Sequence, residues 1–146
     1  MMHELCNSLQ KISLNHKRIM NRMLEPYDLT YAQYLTLKEI EQNPGILAQS
    51  LIPLLDSDKA TLSGILRRLF EAGWIEKKKD LTDRRKQHLQ LTTKAVEKLS
   101  TIHDLESHCE TVLLHTLSPR DQKHFTHIIE ELVINQQNYL SEESHA

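Results

Sequence analysis

Asp58-Lys59-Ala60-Thr61-Leu62-Ser63-Gly64-Ile65-Leu66-Arg67-Arg68-Leu69-Phe70-Glu71-Ala72-Gly73-Trp74-Ile75, then Lys77-Lys78-Lys79, Asp83-Arg84-Arg85-Lys86 and Leu89-Gln90-Leu91-Thr92, is the stretch that decides the fold. Ser57 or Asp58 can cap a helix. Leu62, Ile65, Leu66 and Leu69 recur at helical spacing and form its inward stripe. Gly73 supplies the left-handed residue that stops it. Residues 74–79 and 87–91 then read as two short strands, the second alternating as a half-exposed strand should, with residues 80–86 as the tip between them. Within residues 59–88, nine cations (Lys59, Arg67, Arg68, Lys77, Lys78, Lys79, Arg84, Arg85, Lys86) meet four acids (Glu71, Glu76, Asp80, Asp83). That is +5 inside a chain of formal charge −2, so the remainder carries −7. Positive charge gathered in one module of a near-neutral chain points to a polyanionic partner.

Outward from this module the chain reads as helix. It has three Gly and four Pro in 146 residues, against a turn-rich all-β fold, and its length fits one domain. Leu5, Leu9, Ile12, His16, Ile19 and Met23 recur in steps of four and three, a stripe of heptad character that Glu25-Pro26 ends. Thr30-Tyr31-Ala32-Gln33 is a capping box, opening a helix that should run to Gln42 and stop before Asn43-Pro44-Gly45. A third helical piece is expected within residues 46–55. Pro53 requires it either to be short and kinked or to begin late enough to hold the proline in its first turn. Thr92 or Thr93 should cap a long helix to Thr116, with Val96, Leu99, Ile102 or His103, Leu105, Cys109, Val112 and Leu113 as its apolar face. Ser118-Pro119-Arg120-Asp121 restarts the chain for a last helix bearing Phe125, Ile128, Ile129, Leu132 and Tyr139. The expected architecture is mainly α with a small β-hairpin wing, a winged helix-turn-helix in the order α-α-α-α-β-β-α-α.

A helix entering the major groove needs small or polar residues on its exposed first turns, and Lys59, Ala60, Thr61, Ser63 and Gly64 meet that need. Arg67 and Arg68, a turn later, can reach phosphates. Lys79, Arg84, Arg85 and Lys86 at a tight hairpin suit a narrow minor groove, with Asp83 expected to hold an arginine by a bidentate pair. Taken singly, each has a plainer reading, a polar surface helix and a solvated basic loop. Their succession at this distance is what favours duplex DNA. Catalytic patterns are absent: no Gly-rich phosphate loop, nucleophile elbow or H-E-x-x-H. We therefore expect no enzyme and no cofactor. The nine histidines, with His124/His127 and His103/His108/Cys109 as the nearest to ligand spacing, read as solvated rather than as a metal site. No apolar run approaches the roughly 20 residues that span a bilayer, so no membrane association is expected. Two cysteines make no disulfide framework, which favours a reducing cytoplasm.

The run Asp58…Gly73-Trp74-Ile75…Asp83-Arg84-Arg85…Leu89-Gln90-Leu91-Thr92 resembles the MarR family of bacterial winged-helix regulators, as does Leu24-Glu25-Pro26…Leu29-Thr30-Tyr31-Ala32-Gln33-Tyr34. The Asp-x-Arg wing followed by a strand ending Leu-Thr is the most specific motif. The resemblance implies a transcriptional regulator, more readily a repressor, that works as an intertwined homodimer. Residues 1–28 and 93–146 would supply dimerisation helices, with Leu5, Leu9, Ile12, Phe125, Ile129 and Leu132 at the contact. Residues 30–92 would form the DNA-binding module, and the whole chain one MarR-like domain. Two such modules would read half-sites of a pseudo-palindromic operator about 34–36 Å apart, with Arg85 in the minor groove and Asp83 as its anchor. A small-molecule effector or an oxidative signal would release the DNA. Pro53 departs from the regular helix expected there. Cys6 resembles the reactive cysteine of the hydroperoxide-sensing branch, with Tyr31 matching one activating tyrosine. Gln10 and Met20 occupy the other two positions, so an inert helix cysteine is the preferred reading. The alternative to DNA readout is a winged-helix module used for protein contacts.

Overall fold

Helix ends in this chain fall where short-range chemistry supplies a cap. The computed structural model describes residues 2–145. Helix α1 (Met2–Leu24) gives way to a 3-10 turn, Glu25–Tyr27, built around Pro26. Asp28, in the left-handed region at φ 54°, closes that turn. Thr30 then opens α2 (Tyr31–Gln42) through the expected capping box: its hydroxyl accepts the Gln33 amide at 3.1 Å, and the Gln33 side chain accepts the Thr30 amide at 2.9 Å.

Residues 46–55 differ from the single helical piece expected. Ile46–Leu47 is a two-residue strand, β1; Ala48–Ser50 is a 3-10 turn; only Leu51–Leu54 is α-helix, α3. Of the two arrangements Pro53 allowed, the late start is the one adopted, and the proline sits in the first turn, where it forfeits no intrahelical hydrogen bond. The strand exists because it has a partner: Ile46 pairs with Leu89 and Leu47 with His88, antiparallel. Tertiary pairing overrides the local preference. The sheet is therefore three-stranded, ordered β1-β3-β2, rather than a lone hairpin.

Helix α4 (Lys59–Glu71) is capped by Asp58, and the chain reverses at Gly73, whose φ of 78° is cheap only for glycine. Strands β2 (Ile75–Lys79) and β3 (Gln87–Leu91) pair in register from Ile75↔Leu91 to Lys79↔Gln87. Helix α5 (Thr93–Leu114) follows, two residues shorter at its end than expected. Thr92 is the residue that starts it, its hydroxyl accepting the Ala95 amide at 3.1 Å and donating to the Gly73 carbonyl at 2.7 Å.

The chain divides into two compact units, Met1–Cys109 and Glu110–Ala146. The core lies in the first: Met20 and Leu24 of α1, Tyr34, Leu37 and Ile40 of α2, Leu51, the Leu62/Leu66/Leu69 stripe of α4, Ile75, Leu89, and Leu99 and Ile102 of α5. The expected face of α5 is buried at Leu99, Ile102 and Cys109, but Ala95 stands inside in place of Val96, and Val112 and Leu113 are exposed. On the first half of α1, Leu5, Leu9 and Ile12 are exposed. In the second unit, α6 (Pro119–Glu143) starts as expected, with the Ser118 hydroxyl accepting the Asp121 amide at 3.1 Å. None of its side chains is buried; Phe125 and Ile129 are half-buried and Leu132 is exposed.

Thr92 ties the stop of α4 to the start of α5. Thr92→Ala should lower the free energy of unfolding by about 1–3 kcal/mol, because the Gly73 carbonyl loses its partner. A lower denaturant midpoint with an unchanged slope is the expected result.

Candidate nucleic-acid interface

The N-terminus of α4 is built by one carboxylate. Asp58 Oδ1 accepts the Thr61 amide and Oδ2 its hydroxyl, both at 2.8 Å. These bonds, the amide first, hold the Asp58 carboxyl below the usual carboxylate range. Thr61 therefore offers the groove its methyl group and oxygen lone pairs, since its hydroxyl proton is committed. Lys59, Ala60, Ser63, Arg67 and Arg68 are exposed; by helical periodicity Ala60, Arg67 and Arg68 lie away from the buried leucine stripe, while Lys59 and Ser63 flank it. Gly64 is half-buried, yet a Cβ built on it would meet nothing within 4 Å. Its missing side chain keeps the outer surface low for an approaching partner.

The wing tip, residues 80–86, is shaped by two aspartates. Asp80 Oδ2 accepts the Thr82 hydroxyl at 2.7 Å, the Asp83 amide at 3.0 Å and the Thr82 amide at 3.1 Å. Asp83 Oδ1 accepts the Arg85 amide at 3.0 Å and lies 3.5 Å from Arg85 Nε. The bidentate Asp83–Arg85 pair expected from sequence is thus replaced by a backbone clasp with one long ionic contact, because the tight turn spends the carboxylate on the main chain. The Arg85 side chain is 93% exposed, its terminal fork free to meet a ligand. Arg84, Lys86 and Lys79 are exposed as well.

His88 belongs to the wing and was not singled out by sequence. It stands on β3 with Nδ1 2.8 Å from the Gly45 carbonyl oxygen and Nε2 2.8 Å from Asp80 Oδ1. Strand alternation places His88 on one face of the hairpin, but nothing local announces Gly45, 43 residues away in sequence.

Recognition helix and wing meet in one groove. A cavity of about 410 Å³ lies among α4, the turn before α3 and the wing. Leu62, Leu66 and Ile52 line it with apolar surface, while Lys59, Arg85 and Lys86 bring cationic side chains to it. Of the candidates read from sequence, the cavity brings together Lys59 and Ser63 of α4 with Arg85 and Lys86 of the wing; Ala60, Thr61, Gly64, Arg67, Arg68, Lys79, Asp83 and Arg84 lie outside it. Other candidates lie elsewhere. Cys6 is exposed. Tyr31 packs edge-on against His16 at 5.4 Å, and its hydroxyl is pushed up in pKa mainly by burial. Ten residues separate Cys6 from His16, about 15 Å along a helix, so within one chain Cys6 and Tyr31 do not meet. Cys109 is buried, with Sγ 3.3 Å from Met20 Sδ and 3.5 Å from Met23 Sδ, and burial raises its pKa. Among the described residues, no group of three or more His, Cys, Asp or Glu side chains is placed to hold a metal, and no helix is long and apolar enough to cross a membrane.

The MarR family model matches residues 29–86, which run from the capping box of α2 through the wing tip. A crystal structure of MarR superimposes with a TM-score of 0.84 at 30% identity, covering 92% of this chain and 98% of that one. The chain belongs to the MarR family. The transcriptional regulator HosA of Escherichia coli O127:H6 is 28% identical over 106 residues, 73% of this chain and 78% of HosA. The fold also matches that of a mutant MarR from E. coli complexed with operator DNA, at a TM-score of 0.76 and 24% identity, covering 88% of this chain and 93% of that one. The family assignment makes this chain a winged-helix transcriptional regulator.

The Asp58 cap has a definite pH signature. A carboxyl depressed in the folded state stabilises it above the ordinary value of 3.8 and loses that contribution as pH falls through the depressed value. The Thr61 amide should therefore lose hydrogen-exchange protection on acidification. Asp58→Ala should lose it at neutral pH.

Proposed function

We propose that this MarR-family chain binds double-stranded DNA sequence-specifically as a homodimer, occupies a pseudo-palindromic operator, and represses transcription until a small-molecule or oxidative signal releases it. The observation that carries this reading is the common groove: the open first turns of α4 and the Arg85/Lys86 tip border the same cavity, with their cations exposed. One element offers small and polar groups at the scale of base edges, while the other offers guanidinium at the scale of a narrow groove. That a mutant E. coli MarR of like fold is found complexed with operator DNA supports DNA as the partner.

In this reading Lys59, Ala60, Thr61, Ser63 and Gly64 meet bases, Arg67 and Arg68 meet phosphates, and Arg84, Arg85, Lys86 and Lys79 serve the wing. Asp83 sets the tip's backbone. The homodimer is supported by the exposed Leu5, Leu9 and Ile12 of α1 and, separately, by α6, where Ile128, Leu132, Val133 and Ile134 are exposed. Residues 1–28 and 93–146 would then be the dimerisation segments, and 30–92 the DNA-binding module, in a cytoplasmic protein. An oxidative signal has Cys6 as its accessible thiol, since Cys109 is buried.

Fluorescence anisotropy on DNA from upstream of its own gene, at several salt concentrations, tests the DNA reading. Binding should weaken steeply with salt. Arg67→Ala should lower the slope of log affinity against log salt by about 1, and Arg85→Ala should cost about 1–3 kcal/mol. Affinity no better than for random duplex, with Arg85→Ala indistinguishable from wild type, would turn the reading toward protein contacts. Sedimentation equilibrium should give twice the chain mass, falling to the monomer in Leu9→Asp/Leu132→Asp. Loss of oxidant-induced release in Cys6→Ser would assign the signal to that thiol.

A further inference from the structure

We propose that His88 is a positioning residue for the wing: in its doubly protonated form it clamps the hairpin tip to the backbone that precedes β1, and loss of one proton opens the clamp. The clamp is a property of the free protein. Its consequence for DNA rests on the functional reading above.

The geometry makes the case through a count of protons. One ring nitrogen, Nδ1, faces the Gly45 carbonyl at 2.8 Å, and the other, Nε2, faces Asp80 Oδ1 at 2.8 Å. A carbonyl oxygen has no proton to give. Asp80 has none either, because Oδ2 already accepts the Thr82 amide, the Thr82 hydroxyl and the Asp83 amide, a set of donors that favours the ionised carboxylate. A neutral imidazole carries one N–H and one lone pair, so it can satisfy only one of these partners and sets a lone pair against the other. The imidazolium donates to both.

The two partners are also the right ones to hold. Gly45 is fixed from the other side, its amide donating to the Leu89 carbonyl at 2.8 Å and its φ at 82°. Asp80 is the node of the tip, organising the turn that precedes Arg84, Arg85 and Lys86. His88 thus joins the fixed edge of the sheet to the element that carries the exposed arginines. The surrounding charges are few. From the tip come Asp80 and Lys86; from β2 the cross-strand partner is Lys78; β1 contributes Leu47, which does not titrate.

These surroundings raise the imidazole above its ordinary 6.5, through the Asp80 hydrogen bond first and the Gly45 carbonyl second, with Lys86 opposing. The same contact, with the Thr82 and Asp83 donors, holds the Asp80 carboxyl well below its ordinary 3.8. The sign follows. Because His88 is raised, its contribution is complete below 6.5 and is lost as pH rises through the raised value. Because Asp80 is lowered, its contribution fails only at strongly acidic pH. The clamp is closed below 6.5 and opens as pH rises through the raised value.

Ring-nitrogen NMR of the full-length protein from pH 5 to 10 tests the clamp directly, with His88 assigned by difference from His88→Gln. His88 should titrate above 6.5 with both ring N–H groups present below that point. The Thr82 and Asp83 amides should lose exchange protection in the same transition. Asp80→Asn, which keeps the shape and removes the charge, should bring the His88 transition down. On operator DNA, wild type should bind several-fold more weakly at pH 9 than at pH 6.5, beyond any change in His88→Gln. A His88 transition at or below 6.5, or wing amides indifferent to it, overturns the clamp. Equal pH dependence in wild type and His88→Gln overturns its role in positioning the wing. No operator binding at any pH, with the NMR transitions as expected, leaves the clamp standing and removes the DNA reading instead.

Discussion

The rotation of α4 about its own axis is the constraint on which the rest of the structure depends. A helix of 13 residues has little stability alone in water, and most of what holds it comes from packing. Burial of Leu62, Leu66 and Leu69 fixes which side faces the core, and by subtraction which side faces out. Asp58 fixes the axial position of its first turn, and Gly73 sends the chain directly into β2. Thr92 then reads the end of α4, bonding the Gly73 carbonyl before starting α5. The recognition surface, the root of the wing and the long helix that follows are thus set by one buried stripe and one hydroxyl.

Charge is arranged by the same economy. The module carries acids as well as cations, and a sum of charges alone would leave its field weak. Asp80 and Asp83 turn their carboxylates onto main-chain amides and hydroxyls of the tip, and Asp58, just before it, does the same at the helix start. The lysines and arginines of the two surfaces have few such internal partners and project outward. A partner therefore meets the cations first, although the aspartates lie only a few residues away. This is why Asp83, a poor neighbour for a phosphate by its charge, is compatible with the proposed contact of this loop with DNA. Its work is on the backbone.

What was legible in the sequence was local. The Thr30 box, the Ser118-Pro119 start, the Gly73 stop and both wing strands depend on residues a few positions apart, and all appear, the first strand beginning at Ile75 rather than Trp74. Most of the failures have a long-range cause. Strand β1 is two residues long and has no signal apart from Leu89 and His88, more than 40 positions on. The His88 clamp needs Gly45 and Asp80 brought together by the sheet. In α5 the true inner face uses Ala95 rather than Val96, because the fit against the core admits a small residue where hydrophobicity alone chose the larger one. Asp83 and Arg85 were correctly paired but in the wrong geometry, since the turn's own amides compete for the carboxylate.

The apolar surfaces left open complete the physical picture. Scattered exposed leucines are ordinary, but contiguous stripes are not. On α1, Leu5, Leu9 and Ile12 follow heptad spacing and are 43–63% exposed. Independently, no side chain of the 25-residue α6 is fully buried, and Ile128, Leu132 and Tyr139, which share one face by helical periodicity, are 44–61% exposed. A helix of that length with only Gln122, Phe125 and Ile129 half-buried, a cap and the Gln122 bonds to the Leu114 and Leu117 carbonyls has little tertiary stability within its own unit; local side-chain pairs add only a few tenths of a kcal/mol each. Covering its stripe at about 25 cal/mol per Å² supplies the missing term. A second copy of the chain presents an identical stripe, which is the self-complementarity that a two-fold contact requires. The same two-fold would give two recognition helices of identical sequence, and a palindromic duplex is the target on which two identical readers both fit.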